Sequence, residues 1–178
     1  KGTLTTSLLT SLMQSANNAG KKVVVDPKGK DFAKYKGATV MTPNKREALD
    51  ACGLEIHEKQ ALQIAGKRLM SDLGLEALVI TEGDKGMTLF ERDRQPVNLK
   101  AEAREIYDVT GAGDTVTACL GVSLAAGFSF ADSVQIANTA ASLVVDQVGT
   151  TVISLDRLQA ALQGRQEEPA SEVSSTST

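Results

Sequence analysis

The sequence is poor in the side chains on which several kinds of site depend. Its 178 residues include no tryptophan, one histidine (His57) and two cysteines, Cys52 and Cys119, which lie far apart within apolar patterns. The single histidine argues against a histidine-based metal site and against a Ser-His-Asp triad. The cysteine pattern predicts two reduced thiols in the core of a cytoplasmic protein rather than a disulfide.

Long apolar runs and a charge excess are also absent. No apolar run approaches the roughly 20 residues that cross a bilayer, and the first residues lack the apolar segment of a signal peptide. The 19 basic and 22 acidic residues are well mixed and give a net charge of −3. This balance favours neither nucleic acid nor a membrane surface as a partner, and the length fits one domain.

Short runs rich in valine and isoleucine alternate with helical patterns along the chain. Such alternation predicts a mainly parallel sheet with helices on both faces, the α/β class. Strands are predicted at 22–26, 38–41 and 77–81, with 87–90 as the second strand of a hairpin and extended chain at 97–99 and 104–107. Helices are predicted at about 4–16, 44–52, 57–73, 114–126, 131–146 and 155–163.

Polar residues follow several of the predicted strands directly. They are Asp26, Thr42, Thr81 and Asp108. Ligands of open α/β sheets bind at the carboxyl ends of the strands. We therefore expect these four positions to converge on one edge of the sheet.

The stretch 108–114, Asp-Val-Thr-Gly-Ala-Gly-Asp, is the most informative motif of the chain. A glycine turn that opens a helix directs several backbone N–H groups at one point, where the helix dipole also favours an anion such as phosphate. A carboxylate beside that point, Asp114, could take a proton from an attacking hydroxyl. The alternative is an ordinary aspartate in the first turn of a helix.

A second motif, Thr42-Pro43-Asn44 with Glu47, lies at the predicted start of a helix. Asn44 and Glu47 have the spacing of a reciprocal helix cap, which is one interpretation. The other places Glu47 beside a Mg²⁺–phosphate cluster, where it holds the ion through water. The residues alone leave both interpretations open.

Three further features carry weaker signals. Thr81 opens a turn with Gly83 and Gly86, where a nucleotide could approach the backbone, although turn chemistry alone explains the glycines. Lys28 could contact phosphate or lie in a solvated loop. Asn138 interrupts an apolar helical pattern and could face an adenine or water.

Taken in order, these motifs resemble the ribokinase-like (PfkB) carbohydrate kinases. The resemblance rests on Thr42-Pro43-Asn44 with Glu47, Thr81-x-Gly83-x-x-Gly86, the 108–114 stretch and Asn138. Within that family the chain is most similar to D-glycero-β-D-manno-heptose-7-phosphate kinases, the kinase parts of bacterial ADP-heptose synthesis proteins that serve lipopolysaccharide synthesis. The residues behind this narrower resemblance are 26–29, Tyr35, Gly37, Ala38, 106–110 and 148–152.

The resemblance implies a role for each matching residue. Asp114 would be the general base, with Gly111, Ala112 and Gly113 as the anion hole for the transferring γ-phosphoryl group. ATP and Mg²⁺ are the implied cofactors and a sugar phosphate the implied acceptor. Mg²⁺ and phosphate would be organised by Asn44 and Glu47. The residues that would lie along ATP are Thr81, Gly83, Gly86 and Asn138. A monovalent cation such as K⁺ is held in some relatives at the positions that match Asp108 and Thr110.

The resemblance also implies a ribokinase-like three-layer α/β/α fold that is incomplete. Residues 1–163 match the carboxyl-terminal, ATP-side half of the kinase domain, and 164–178 form a polar tail expected to be disordered. The amino-terminal strands and the lid that contact the sugar would be missing, so we expect little activity from the chain alone. Its partner would be its own amino-terminal half or a second copy. The alternatives are a PfkB kinase for another sugar or a nucleoside, and a fragment that binds nucleotide without catalysis.

Overall fold

A computed structural model describes residues 4–55, 60–101, 111–145 and 152–164. The helices of this part are α1 (Thr6–Asn18), α2 (Lys45–Cys52), α3 (Ala61–Leu73), α4 (Ala112–Ala125), α5 (Phe130–Val145) and α6 (Leu155–Gly164). The strands are β1 (Val24–Val25), β2 (Val40–Met41), β3 (Ala77–Thr81), β4 (Met87–Glu91) and β5 (Val97–Leu99). None of these described helices is long and apolar enough to cross a membrane.

The predicted elements are present with shifts at their ends. The first two strands are short, since hydrogen-bonded pairing covers only Val24–Val25 and Val40–Met41 of the predicted runs. Helix α3 begins at Ala61, and the predicted helix start at 57–59 lies outside the described residues. The extended chain predicted at 104–107 and the tail at 165–178 lie outside them too.

The described strands form one mixed sheet in the order β1-β2-β3-β4-β5. Strands β1, β2 and β3 are parallel neighbours, as the α/β pattern predicts. Strand β4 returns antiparallel to β3 as the predicted hairpin, and β5 pairs antiparallel with β4. The parallel part therefore sets the carboxyl edge at which a ligand site is expected.

Helices cover both faces of this sheet, so the fold is three-layered. Alternate residues of β3 point to opposite faces: Leu78 and Ile80 pack with α1, α2 and α3, whereas Val79 packs with α4 and α5. All three side chains are fully buried. The expected α/β/α class is thus confirmed.

Both cysteines are free thiols, as the sequence predicts. Cys52 is buried at the end of α2, and Cys119 is half-buried on α4. Burial raises the pKa of both thiols above the usual value, which lowers the thiolate fraction at neutral pH. Because the thiolate is the reactive form, neither cysteine has the environment of a catalytic nucleophile.

We expect both thiols to resist alkylation in the folded chain. At pH 8, iodoacetamide should label each of them at least about tenfold more slowly than it labels an unstructured cysteine. Cys119 should react before Cys52, because it is the more exposed of the two. Mass spectrometry of timed samples measures both rates, and urea should abolish the protection. Equal, fast labelling in buffer would contradict the packing described above.

Candidate active site

Three polar residues meet at the carboxyl edge of the parallel strands. Asp26 follows β1, Thr42 follows β2, and Thr81 is the last residue of β3. The Thr81 N–H donates to the carbonyl of Pro43 at 3.0 Å, which ties the end of β3 to the segment leading into α2. The predicted convergence is confirmed for these three positions, and the fourth, Asp108, lies outside the described residues together with Thr110.

The start of α2 is held by the reciprocal cap that its sequence predicts. The Asn44 side chain accepts from the Glu47 N–H, and Glu47 Oε2 accepts from the Asn44 N–H, each at 2.9 Å. The second carboxylate oxygen of Glu47, Oε1, lies 3.8 Å from Lys28 Nζ. The capping interpretation therefore accounts for one oxygen of Glu47, and the other oxygen lies near the Lys28 ammonium.

Lys28 is the cationic centre of the site. Its Nζ lies 3.0 Å from Asp26 Oδ2, and this hydrogen bond is the largest of the influences that raise the pKa of Lys28. The charges of Asp26, Glu47 and Asp114 raise the pKa further, while partial burial works against them. Two carboxylates in contact with one ammonium, Asp26 and Glu47, leave a net negative charge, which favours an additional cation at this edge.

The first turn of α4 presents backbone N–H groups without a capping side chain. Gly111 is the N-cap residue, with a φ of 83° that favours glycine. Asp114 lies in this turn and is exposed. A Cβ at Gly113 would meet no atom within 4 Å, so packing does not require glycine there. Open space beside the first-turn amides of a helix suits the close approach of an anion.

A cavity of about 390 Å³ lies beside this turn. Its apolar wall includes Met87, Val116 and Val145. Its size and largely apolar lining fit a small-molecule site. The cavity brings together seven of the residues that the sequence analysis singled out, namely Asn44, Thr81, Gly83, Gly86, Ala112, Gly113 and Asn138.

Asn138 does not face water. Its side chain is buried, at 3% exposure, and its Nδ2 donates to the carbonyl of Lys100 at 2.8 Å. The water-facing interpretation is therefore wrong. Asn138 borders the cavity and also fixes the main chain that follows β5.

Gly83 and Gly86, the two glycines of the β3–β4 turn, have different surroundings. A Cβ at Gly86 would collide with the carbonyl oxygen of Leu99, and its φ is 89°. Gly83 has a φ of 64°, and a Cβ there would meet nothing within 4 Å. Gly86 is thus required by the neighbouring main chain, whereas Gly83 leaves open space toward the cavity.

One buried carboxylate of this region escaped the sequence analysis. The side chain of Glu82 is 7% exposed and lies 3.7 Å from Lys45 Nζ. Its other oxygen accepts from Thr88 Oγ1 at 2.7 Å. This arrangement braces the β3–β4 turn against the start of α2. Its only signal in the sequence is the position of Glu82 between Thr81 and Gly83 at a strand end.

The comparison with protein families matches the pfkB family carbohydrate kinase model over residues 2–157. The chain belongs to this family. Among its curated relatives is the bifunctional protein HldE of Desulfatibacillum aliphaticivorans, 48% identical over 163 residues, which are 92% of this chain and 33% of the relative. The HldE of Geobacter sulfurreducens is 51% identical over 154 residues, 86% of this chain and 31% of the relative. The chain thus spans about a third of the length of these curated relatives.

Solved structures show the same fold. A ribokinase of Arabidopsis thaliana complexed with ribose and ATP superposes with a TM-score of 0.80 and 25% identity, over 89% of this chain and 53% of the ribokinase. Phosphofructokinase-2 of Escherichia coli in complex with potassium superposes with a TM-score of 0.80 and 18% identity, over 92% of this chain and 54% of the phosphofructokinase. The ribokinase-like class expected from the sequence is confirmed.

Proposed function

We propose that this PfkB chain carries the ATP-binding and phosphoryl-transfer part of a kinase for D-glycero-β-D-manno-heptose 7-phosphate. The product would be the 1,7-bisphosphate, formed at the anomeric hydroxyl. One observation carries the reaction class: Lys28, which lies 3.0 Å from Asp26 and 3.8 Å from Glu47, shares the edge of the site with the first turn of α4, where Asp114 lies. The heptose assignment rests on the narrower resemblance, and the similarity to bifunctional HldE proteins supports it.

In the proposed complex the cavity holds ATP. Its apolar wall, with Val116 and Val145, suits the adenine, and Gly83 leaves room for the ribose and phosphates. The triphosphate would then extend toward Gly113 and Lys28. There the backbone amides of α4 and the ammonium would neutralise the charge of the γ-phosphoryl group.

The transfer itself needs one proton acceptor. Asp114 would take the proton of the sugar hydroxyl while that oxygen forms its bond to the γ-phosphorus. The bond between the γ-phosphorus and the oxygen bridging to the β-phosphorus breaks, and ADP leaves with the electron pair. The exposed Asp114 carboxylate lies in the same turn of α4 as the proposed anion hole, which is formed by Gly111, Ala112 and Gly113.

The carboxylates fit Mg²⁺ bound through phosphates and water. Among the described residues no three His, Cys, Asp or Glu side chains lie close enough to hold a metal ion between them. Mg²⁺ commonly takes one or two carboxylates and keeps several waters, which suits Asp26 and Glu47. When bound, the ion would supply charge neutralisation for the β- and γ-phosphates. A monovalent cation at Asp108 and Thr110 is part of the proposal on the resemblance alone.

Additional polypeptide would complete the sugar side. Strand β1 is an edge strand of two residues in the described sheet. Leu4 lies just before α1, and Leu8 and Leu12 lie on α1 at helical spacing. All three side chains are exposed. Since the relatives are about three times as long as this chain, we propose that an amino-terminal half, or a second copy, covers this apolar surface. Little sugar phosphorylation is then expected from the 178 residues alone.

A substrate panel tests the acceptor. Phosphoryl transfer from Mg·ATP should be measured to heptose 7-phosphate, ribose, fructose 6-phosphate and a nucleoside, with the chain alone and with the amino-terminal half added. We expect the heptose phosphate to be preferred and the added half to be required. Faster transfer to another acceptor would redirect the assignment within the family, and robust turnover by the chain alone would disprove the requirement.

Replacing Lys28 tests the nucleotide site without any sugar. Lys28→Ala should weaken Mg·ATP binding to the chain about tenfold, because a charged contact to phosphate is lost. Lys30→Ala is the matched control, since Lys30 is 80% exposed and lies 3.9 Å from Asp50 on the outer side of α2. Isothermal titration calorimetry measures both affinities. Equal affinities in the two variants would remove Lys28 from the proposed phosphate site.

A further inference from the structure

Two threonine hydroxyls join the carboxyl end of β2 to the first turns of α4. The Oγ1 atoms of Thr42 and Thr117 lie 3.0 Å apart, although the residues are 75 positions apart in the chain. Thr42 is 5% exposed and Thr117 is half-buried. The pair is therefore a sheltered polar contact between sheet and helix at the candidate active site.

The distances favour one placement of the two hydroxyl hydrogens. Thr117 Oγ1 lies 3.0 Å from the carbonyl oxygen of Gly113, and Thr42 Oγ1 lies 3.3 Å from that of Val25. Each hydroxyl has a single hydrogen to donate, so the contacts outnumber the hydrogens. The two shorter contacts are best satisfied if Thr42 donates to Thr117 and Thr117 donates to Gly113. The result is a relay from β2 to the Gly113 carbonyl.

That carbonyl belongs to the same peptide group as the N–H of Asp114. In a helix the carbonyl points toward the carboxyl end and the N–H toward the amino end, so this N–H faces the proposed phosphate position. Hydrogen bonds in series polarise one another, which makes the Asp114 N–H a stronger donor. The relay also ties this peptide of the first turn of α4 to the end of β2.

We propose that Thr42 and Thr117 are positioning residues for phosphoryl transfer. They hold the Gly113–Asp114 peptide so that the Asp114 N–H is directed at the γ-phosphoryl group and the Asp114 carboxylate at the attacking hydroxyl. The identity of that anion rests on the proposed function. The mechanical link between β2 and α4 does not, and the two can be tested separately.

Hydrogen exchange of the chain without ligand tests the link. Thr42→Val and Thr117→Val keep the side-chain shape and remove the hydroxyl. Each should speed exchange of the first hydrogen-bonded amides of α4 about tenfold, beginning with Thr115, whose N–H donates to the Gly111 carbonyl at 2.9 Å. Thr39→Val is the matched control: Thr39 lies just before β2 at its opposite end, is 6% exposed, and its Oγ1 accepts from the Val23 N–H at 2.9 Å. Unchanged exchange in α4 in both Thr42→Val and Thr117→Val overturns the relay.

Calorimetry with Mg·ATP and Mg·ADP tests the functional part. Thr42→Val and Thr117→Val should reduce the preference for ATP over ADP about tenfold, with ADP affinity nearly unchanged, because only ATP reaches the α4 turn. Thr42→Ser and Thr117→Ser retain the hydroxyl and should keep the original preference, as should Thr39→Val.

The outcomes separate the two ideas. An unchanged preference in the valine variants, with altered exchange, overturns positioning and leaves ATP binding intact. Failure of the unsubstituted chain to bind ATP overturns the proposed function, and the exchange result then still decides the relay. If Thr39→Val lost as much of the preference for ATP over ADP as Thr42→Val, the cause would be a general packing effect. That result would overturn the specific role of Thr42 and Thr117.

Discussion

Asp114→Asn should lower kcat for phosphoryl transfer by about 10²–10⁴-fold, in a preparation that phosphorylates its sugar. The amide has nearly the same shape as the carboxylate and cannot accept the hydroxyl proton. The KM for ATP should change little, because the proposed contacts of Asp114 with the phosphates are made by its backbone. Stopped assays over a range of ATP concentrations separate kcat from KM, and thermal unfolding checks that the variant is folded.

Asp132→Asn is the matched control for this substitution. Asp132 is also an exposed aspartate in the first turn of a helix, α5, where its N–H and carboxylate bond to Ser129. The Asp132→Asn substitution should leave kcat unaltered. If Asp114→Asn kept kcat within about tenfold of the original, the loss would be at most about 1.4 kcal/mol of barrier. Such a loss is too small for a general base, and the ordinary first-turn interpretation would then hold.

The sequence predicts much of this site because its key segments are local. The reciprocal cap of Asn44 and Glu47 depends on residues three positions apart, and the structure contains both of its hydrogen bonds. The convergence of Asp26, Thr42 and Thr81 follows from the parallel order of three strands. Spacing and topology therefore suffice to place these residues at one edge.

The electrostatic grouping is only partly readable from the sequence. That Lys28 is near Asp26 could be expected from their separation by one residue. Its proximity to Glu47 and to Asp114 depends on how β1, α2 and α4 pack. Long-range packing of this kind leaves no periodic signal in the chain, because it is set by the three-dimensional fold.

The pairs that brace the site were missed for the same reason. Thr42 and Thr117 meet across 75 positions, and Asn138 reaches the carbonyl of Lys100 across 38 positions. A polar residue within an apolar helical pattern suggests a ligand or solvent contact as readily as a main-chain contact. For Asn138 the buried contact with Lys100 prevails over exposure, since a buried amide without partners would be costly.

Gly86→Ala should be the most destabilising single change at the cavity, costing about 3 kcal/mol or more. The added Cβ would collide with the carbonyl oxygen of Leu99 and come within 2.7 Å of the carbonyl carbon of Lys100, in a backbone with a φ of 89°. These are main-chain atoms, so the segment after β5 must move as a whole. That movement should also break the bond from Asn138 to the Lys100 carbonyl and weaken Mg·ATP binding.

Gly83→Ala separates collision from backbone strain. Gly83 has a φ of 64° with open space around its Cβ position, so alanine there should cost only the strain of a left-handed backbone, about 1–2 kcal/mol. Urea unfolding of both variants measures the free energies of unfolding. The difference between them combines the cost of displacing the main chain at 99–101 with the greater strain at Gly86, whose ψ of −129° lies outside the left-handed helical region. Equal losses would mean that β5 yields easily, and the wall of the cavity formed by Ala101 and Asn138 would then be too soft to position a nucleotide.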